Sequence, residues 1–267
     1  MRFKFKGTWA GAAAVTLITA SPIISLAAES EFTLEEAAGT PTSDLKIDTI
    51  TVYGKHNQLI LESGTATKSN MSLMQTPAPV VVVDRALLDD QAASTLQDSV
   101  RNVSGLTQSG NNYGIGDNLS IRGLGANYTY DGIYGGADLN NSYNPTRSTT
   151  NIESVEVLKG PATGLYGMGS AGGIINLIEK KPQYDDAFET RAVVGQWGNY
   201  GIMLDATAAL TDNAAYRVVA NYETSDGYRG LSSERNELYA SLHQGFSEGH
   251  ELLISAAYID DSVQIDS

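Results

Sequence analysis

The chain has 267 residues, 17 Lys+Arg against 31 Asp+Glu, a formal charge of −14 and no cysteine. An acidic surface of this kind repels phosphate backbones and excludes nucleic-acid binding. The missing thiols exclude disulfides, zinc fingers and cysteine catalysis, while the length suffices for one or two domains with a real core.

Arg2, Lys4 and Lys6 precede an apolar stretch at 10–24, interrupted by Pro22, and the small residues Ser25-Leu26-Ala27-Ala28. This is the layout of a secretory signal peptide over 1–28, cleaved before Glu29. A retained anchor is the alternative, disfavoured by the short run, its Thr and Ser, and the proline. Without that segment, 14 Lys+Arg stand against all 31 Asp+Glu. No later segment reaches 18 consecutive apolar residues, the length a spanning helix needs, so any membrane span must be made of strands.

Residues 29–75 are polar and read as a flexible leader. Within it, Asp48-Thr49-Ile50-Thr51-Val52-Tyr53 is β-branched or aromatic at every position after the Asp. A strand-former without a neighbour pairs either with the following domain or with another protein's sheet edge. Residues 76–182 read as a small α+β domain. Thr76-Pro77-Ala78-Pro79 leads into a buried strand at 80–83, and Ser94 with Gln97 has capping-box spacing. Leu96, Val100 and Val103 then make one apolar stripe of a helix that Gly105 can stop. Further strands are expected at 119–122, 154–158 and 173–178.

From 183 to 267 the pattern changes to alternation. Ile202, Leu204, Ala206, Ala208 and Leu210 interleave with Met203, Asp205, Thr207 and Ala209. Tyr216, Val218, Ala220 and Tyr222 interleave with Arg217, Val219 and Asn221, and Leu238, Ala240 and Leu242 with Tyr239, Ser241 and His243. Residues 252–260 repeat this more weakly. Strands of about ten residues with one apolar face suit a transmembrane β-barrel, or equally a soluble antiparallel sheet with one wet face. The export signal favours the membrane.

In order and spacing, these motifs resemble the TonB-dependent receptor family from Asp48 to about Asp260. Asp48, Thr49, Ile50, Thr51 and Val52 resemble the TonB box. Thr76 to Val83 resembles the opening strand of the plug, and Ile121-Arg122-Gly123-Leu124 its Ile-Arg-Gly-Phe signature with Leu for Phe. Tyr130-Asp131-Gly132-Ile133 resembles the Asp-Gly turn that follows, and Ile152 to Pro161 with Leu165 to Asn176 resembles the most specific stretch of the family. The resemblance implies an α+β plug domain followed by antiparallel transmembrane β-barrel strands. The barrel would be incomplete in this chain, since the residues after Pro182 suffice for about four or five strands of the roughly 22 expected. By itself such an open sheet would not insert or transport.

The resemblance further implies a receptor in the outer membrane of a Gram-negative bacterium, in contact with its lipid. It would import a ferric siderophore with energy delivered by TonB. Iron would travel in the ligand, with no cofactor or metal held by the protein. Cobalamin, haem or a glycan are alternative ligands, and a non-transporting surface receptor or adhesin is the alternative class, which would have no use for residues 48–53. Family position makes Arg122 and Lys159 the basic residues that lock the plug to acids on the barrel wall, Lys159 standing where Arg is more usual. Tyr113, Tyr128, Tyr130, Tyr134 and Tyr143, interleaved with Asn, offer stacking faces and amide donors to an oxygen-rich chelate, and at least half should pack inside the plug instead. Residues 29–47 are too few for the extra periplasmic domain of signalling members, so transport without direct gene regulation is expected.

Other chemistry finds little support. Gly167-Met168-Gly169-Ser170-Ala171-Gly172 matches G-x-G-x-x-G, but a β-like run and Pro182 follow it where a dinucleotide site needs a helix. Ser170 lies in no nucleophile elbow, and His56, His243 and His250 have no ligand spacing. No catalytic constellation supports a secreted enzyme.

Overall fold

The computed structural model describes residues 2–8, 62–68, 71–110, 116–134, 146–167, 171–227, 230–247 and 250–264. Residues 48–53, with Tyr113 and Tyr143, lie outside them.

In chain order the elements are β1 (Arg2–Thr8), β2 (Glu62–Ser63), β3 (Met71–Ser72) and β4 (Val80–Asp84), followed by the short helices α1 (Arg85–Asp90) and α2 (Leu96–Ser99). Then come β5 (Leu106–Gly110), β6 (Asn118–Ile121), β7 (Leu124–Tyr130), β8 (Ile133–Tyr134), β9 (Ile152–Lys159), α3 (Thr163–Tyr166) and β10 (Gly173–Glu179). Five longer strands finish the chain: β11 (Ala187–Val194), β12 (Tyr200–Thr211), β13 (Ala214–Ser225), β14 (Ser233–Ser247) and β15 (His250–Gln264).

The first group builds a mixed sheet in the order β4-β9-β10-β7-β6-β5, with β8 beside β7. Its β7–β10 pair is parallel, and the others are antiparallel. Alternation along β9 and β10 sends Val155, Val157, Ile175 and Leu177 to one face, where they are buried against Leu88 of α1 and Leu96 of α2. Leu158 and Ile174 take the other face, with Ala66 and Ala162 over them. Gly173, at φ +138°, sits at the crossing of strands, where a Cβ would strike the Leu158 carbonyl oxygen.

The stripe predicted at Leu96, Val100 and Val103 is buried, but the helix is a single turn. Its cap is Thr95, where Ser94 was predicted: the Thr95 Oγ1 accepts from Asp98 N at 3.2 Å and donates to Asp98 Oδ2 at 2.8 Å. Thr95 remains extended because it bridges to Ser148, so the chain turns one residue later. α1 was not anticipated; Asp84 caps it by accepting from Leu87 N at 2.8 Å.

The long strands form a second, antiparallel sheet in the order β1-β15-β14-β13-β12-β11. They run to 12 residues in β12 and β13 and 15 in β14 and β15, longer than the predicted ten. In β12, β13 and β14 the two faces follow the alternation: Ile202, Leu204, Leu210, Val218, Leu238 and Leu242 are exposed, whereas Met203, Asp205, Thr207 and Val219 are buried; in β15 both faces are exposed over its first ten residues. An outward apolar face over an inward polar one is the inverse of a soluble sheet and fits strands facing lipid. β1 belongs to the stretch predicted as a cleaved export signal, yet it pairs with β15 from Arg2↔Gln264 to Thr8↔Tyr258. A long unpaired edge presents a row of main-chain donors and acceptors that an extended segment can satisfy, which accounts for this pairing.

Candidate functional site

Two polar regions stand out around the mixed sheet, one on its free face and one where it meets the long strands. On the free face, residues 62–68 lie across β9, β10 and β7 through a directional chain of hydrogen bonds. The Thr129 hydroxyl donates to Asn176 Oδ1 (2.7 Å), and the Asn176 amide donates to Thr65 Oγ1 (2.8 Å). Thr65 Oγ1 in turn donates to Glu156 Oε2, as does Ser63 Oγ at 2.6 Å. Asn176 Oδ1 also accepts from Gly132 N, and the Tyr166 hydroxyl donates to the Thr65 carbonyl at 2.7 Å. Lys68 sits 3.9 Å above the Tyr166 ring while donating to the Gly132 carbonyl. Ser63, Thr65, Glu156, Thr129 and Asn176 are all buried.

At the junction with the long strands, Lys180 Nζ donates to Asp205 Oδ2 at 2.7 Å, and Arg217 grips the same carboxylate with Nε at 2.8 Å and Nη2 at 2.7 Å. The Lys180 and Asp205 side chains are each 3% exposed. Beside them Gln183 N donates to Thr207 Oγ1, and the Tyr184 hydroxyl meets His243 Nδ1 at 2.9 Å. Arg191 of β11 reaches Asp89 of α1 at 2.8 Å. Arg235 of β14 holds Asp261 with two nitrogens and also donates to the Thr146 carbonyl at 3.2 Å. The inward face of the second sheet thus holds the mixed sheet by charged and polar side chains, as a wall holds a plug.

Of the predicted ligand tyrosines, Tyr128 is core. It is 1% exposed, its hydroxyl donates to the Asp117 carbonyl at 2.6 Å and accepts from Leu119 N, and Arg147 lies 4.0 Å from its ring centroid. Tyr128 is one of the tyrosines that pack inside the domain, its hydroxyl and ring both occupied by neighbours. Tyr130 is half-buried against the same core, and Tyr134 lies in β8 at the end of a two-residue turn. Nearby, Asp117 Oδ2 accepts from Arg147 N at 2.6 Å, while Oδ1 meets no partner among the described residues. Burial pushes the Asp117 carboxyl up to about 6, against the lowering effect of Arg147.

Arg122 and Lys159 meet no carboxylate among the described residues. Lys159 Nζ donates to Ser104 Oγ at 3.0 Å. Arg122, at φ +54°, and Gly123, at φ +81°, form the two-residue turn between β6 and β7. Asp131 (φ +47°) and Gly132 (φ +77°) repeat that geometry between β7 and β8. The predicted signature is therefore a pair of primed hairpin turns. Gly167 ends α3 and strand β10 follows, so the G-x-G-x-x-G lacks the helix that dinucleotide binding requires. Sequence reading passed over Lys180, Asp205, Arg217 and Glu156. Their signal was a charged residue in an apolar setting, Asp205 between Leu204 and Ala206 and Glu156 between Val155 and Val157.

Residues 72–174 match the family model described as TonB-dependent Receptor Plug Domain. The chain is 32% identical over 186 residues to the probable TonB-dependent receptor BfrD of Bordetella pertussis, covering 68% of this chain and 24% of that protein. It is 33% identical over 183 residues to the ferripyoverdine receptor of Pseudomonas aeruginosa, covering 67% of this chain and 22% of the other. The crystal structure of the outer-membrane ferripyoverdine receptor of P. aeruginosa bound to ferripyoverdine superposes with a TM-score of 0.68 at 30% identity, over 75% of this chain and 27% of the other. The chain thus spans about a quarter of the length of the relatives it matches.

Proposed function

Given that the chain belongs to the TonB-dependent receptor family, we propose that the protein imports a ferric siderophore across the outer membrane of a Gram-negative bacterium, energised through TonB. The observation that supports this most directly is the sheet whose apolar face points outward and whose inward Asp205 and Arg217 grip Lys180 of the plug domain. An adhesin has no need for a domain held inside its wall, and the named relatives are receptors, which supports a non-enzymatic role. In this reading residues 1–28 direct export and are removed, and residues 48–52 are the strand that TonB captures. The ligand brings the iron, and Arg122 and Lys159 pair with acids on further barrel strands.

Capture by strand addition depends on main-chain N–H groups, and proline has none. Ile50→Pro should abolish uptake while surface binding of the siderophore persists, measured with radiolabelled iron on whole cells; normal uptake would remove the TonB-box assignment. Deletion of the gene in a strain without redundant receptors should end growth on at least one iron-loaded siderophore as sole iron source. Growth on every siderophore, with loss of growth on a glycan or a vitamin, would replace the ligand class and leave the receptor reading in place.

A further inference from the structure

Glu156 is a carboxylate in the middle of a buried strand, 5% exposed, in ion contact with no Lys or Arg among the described residues. A buried charge without a counter-ion is costly unless hydrogen bonds replace its water. Here both donors to Oε2, Ser63 and Thr65, come from the segment that joins the proposed TonB box to the plug. The sheet supplies the acceptor, and the segment supplies the donors. The chain Thr129 to Asn176 to Thr65 to Glu156 runs in one donor direction and ends on the negative charge, which polarises each link. The contrast with the other end of the plug is chemical. Lys180 is fastened to Asp205, which Arg217 also grips, by buried charge pairs, whereas Ser63 and Thr65 are fastened to Glu156 by hydroxyls that water can replace one at a time, beside the Lys68 contact with the Gly132 carbonyl.

We propose that Glu156 is a positioning residue that fastens residues 62–68 to the plug sheet through Ser63 and Thr65, making this segment the part of the plug that releases first under tension from its N-terminal side. The proposal rests on the reading of residues 48–52 as the point of traction. Its geometric half stands without that reading: Ala66 is buried under this fastening and becomes accessible only when the segment lifts.

The test uses the membrane-embedded receptor carrying this chain, which has no cysteine of its own, with any cysteine elsewhere replaced by serine. Ala66→Cys reports lifting of the segment, and Ala93→Cys, buried in the main core, reports general loosening; both are read by the rate of maleimide labelling. Glu156→Ala should accelerate labelling at position 66 about ten- to hundredfold, the range expected for losing hydrogen bonds to a charged group, and leave position 93 unchanged. Ser63→Ala with Thr65→Val, which leaves the sheet untouched, should give the same rise and add nothing in the Glu156→Ala background. Unchanged labelling at 66, equal acceleration at 66 and 93, or additive effects would each overturn the proposal. The assay needs neither siderophore nor TonB, so a failed fastening is distinguishable from a failed receptor assignment, which the uptake experiments read.

Discussion

Replacing Asp205 with Ala should loosen the plug at its C-terminal end, where Lys180 follows β10. Lys180 and Asp205 are each 3% exposed at the side chain and Arg217 11%, so the variant leaves two cations in a site with little water. Removing one partner of a buried charge cluster costs about 3–5 kcal/mol, far above the 0–1 kcal/mol of a surface pair. Lys180→Met is the milder change, because Asp205 keeps its two contacts with Arg217; it should cost about 1 kcal/mol. Hydrogen exchange on the purified receptor in detergent, followed along β10 and β12, reads the opening directly. At about 1.4 kcal/mol per decade, Asp205→Ala should speed the exchange of β10 amides about a hundredfold or more, and Lys180→Met about fivefold. A double-mutant cycle between the two positions should give a coupling of about 0.5–3 kcal/mol. Exchange of β10 in Asp205→Ala within threefold of wild type would refute the view that this cluster anchors the plug.

Two more expectations concern the core beneath Tyr128. The folded state holds the Asp117 proton more tightly than the unfolded chain, with a pKa of about 6 against about 3.9. Its contribution to stability is therefore fully present below about pH 4, is lost as pH rises towards about 6, and is constant above that, a change of at most about 3 kcal/mol. The opening free energy of β6 amides should fall between pH 4.5 and pH 7 in the wild type and stay level in Asp117→Asn; a wild-type value that rises over this interval would reverse the sign argued here. Tyr128→Phe leaves the Asp117 carbonyl and Leu119 N–H without their partner and should destabilise the plug by about 1–3 kcal/mol, with affinity for the proposed siderophore unchanged. A fall in affinity with no loss of stability would mark Tyr128 as a ligand contact.

Alternation is the simplest pattern a chain can carry, and it made the long strands legible. Ile202, Leu204 and Leu210 face outward as their spacing requires. β11 escaped notice because Glu189, Thr190 and Arg191 break its apolar face into short pieces. The turn motifs were readable as motifs, but their meaning was not. Arg122 looks like a free basic side chain until its φ of +54° makes it half of a hairpin turn. Tyr128 had the composition of a binding residue and the environment of a core residue, and composition cannot separate the two. Asp205 with Lys180, and Glu156 with Ser63 and Thr65, are pairings across long stretches of chain. A single sequence shows only that a charge lies in an apolar neighbourhood, without saying what meets it.

The strand order of the mixed sheet also sets when this domain can fold. β4 pairs Val80 with Leu158 and Asp84 with Ser154, and β7 finds its parallel neighbour in β10 as Gly173 meets Ala126. Neither the first strand nor the central parallel pair can form until the last strands of the domain have arrived. Closing such distant loops costs entropy before any contact rewards it, so a fold of this kind is slow to nucleate. In the proposed export of the chain from its N-terminus, that delay keeps the domain extended during passage. It also lets the domain close at about the time the first wall strands appear to receive it.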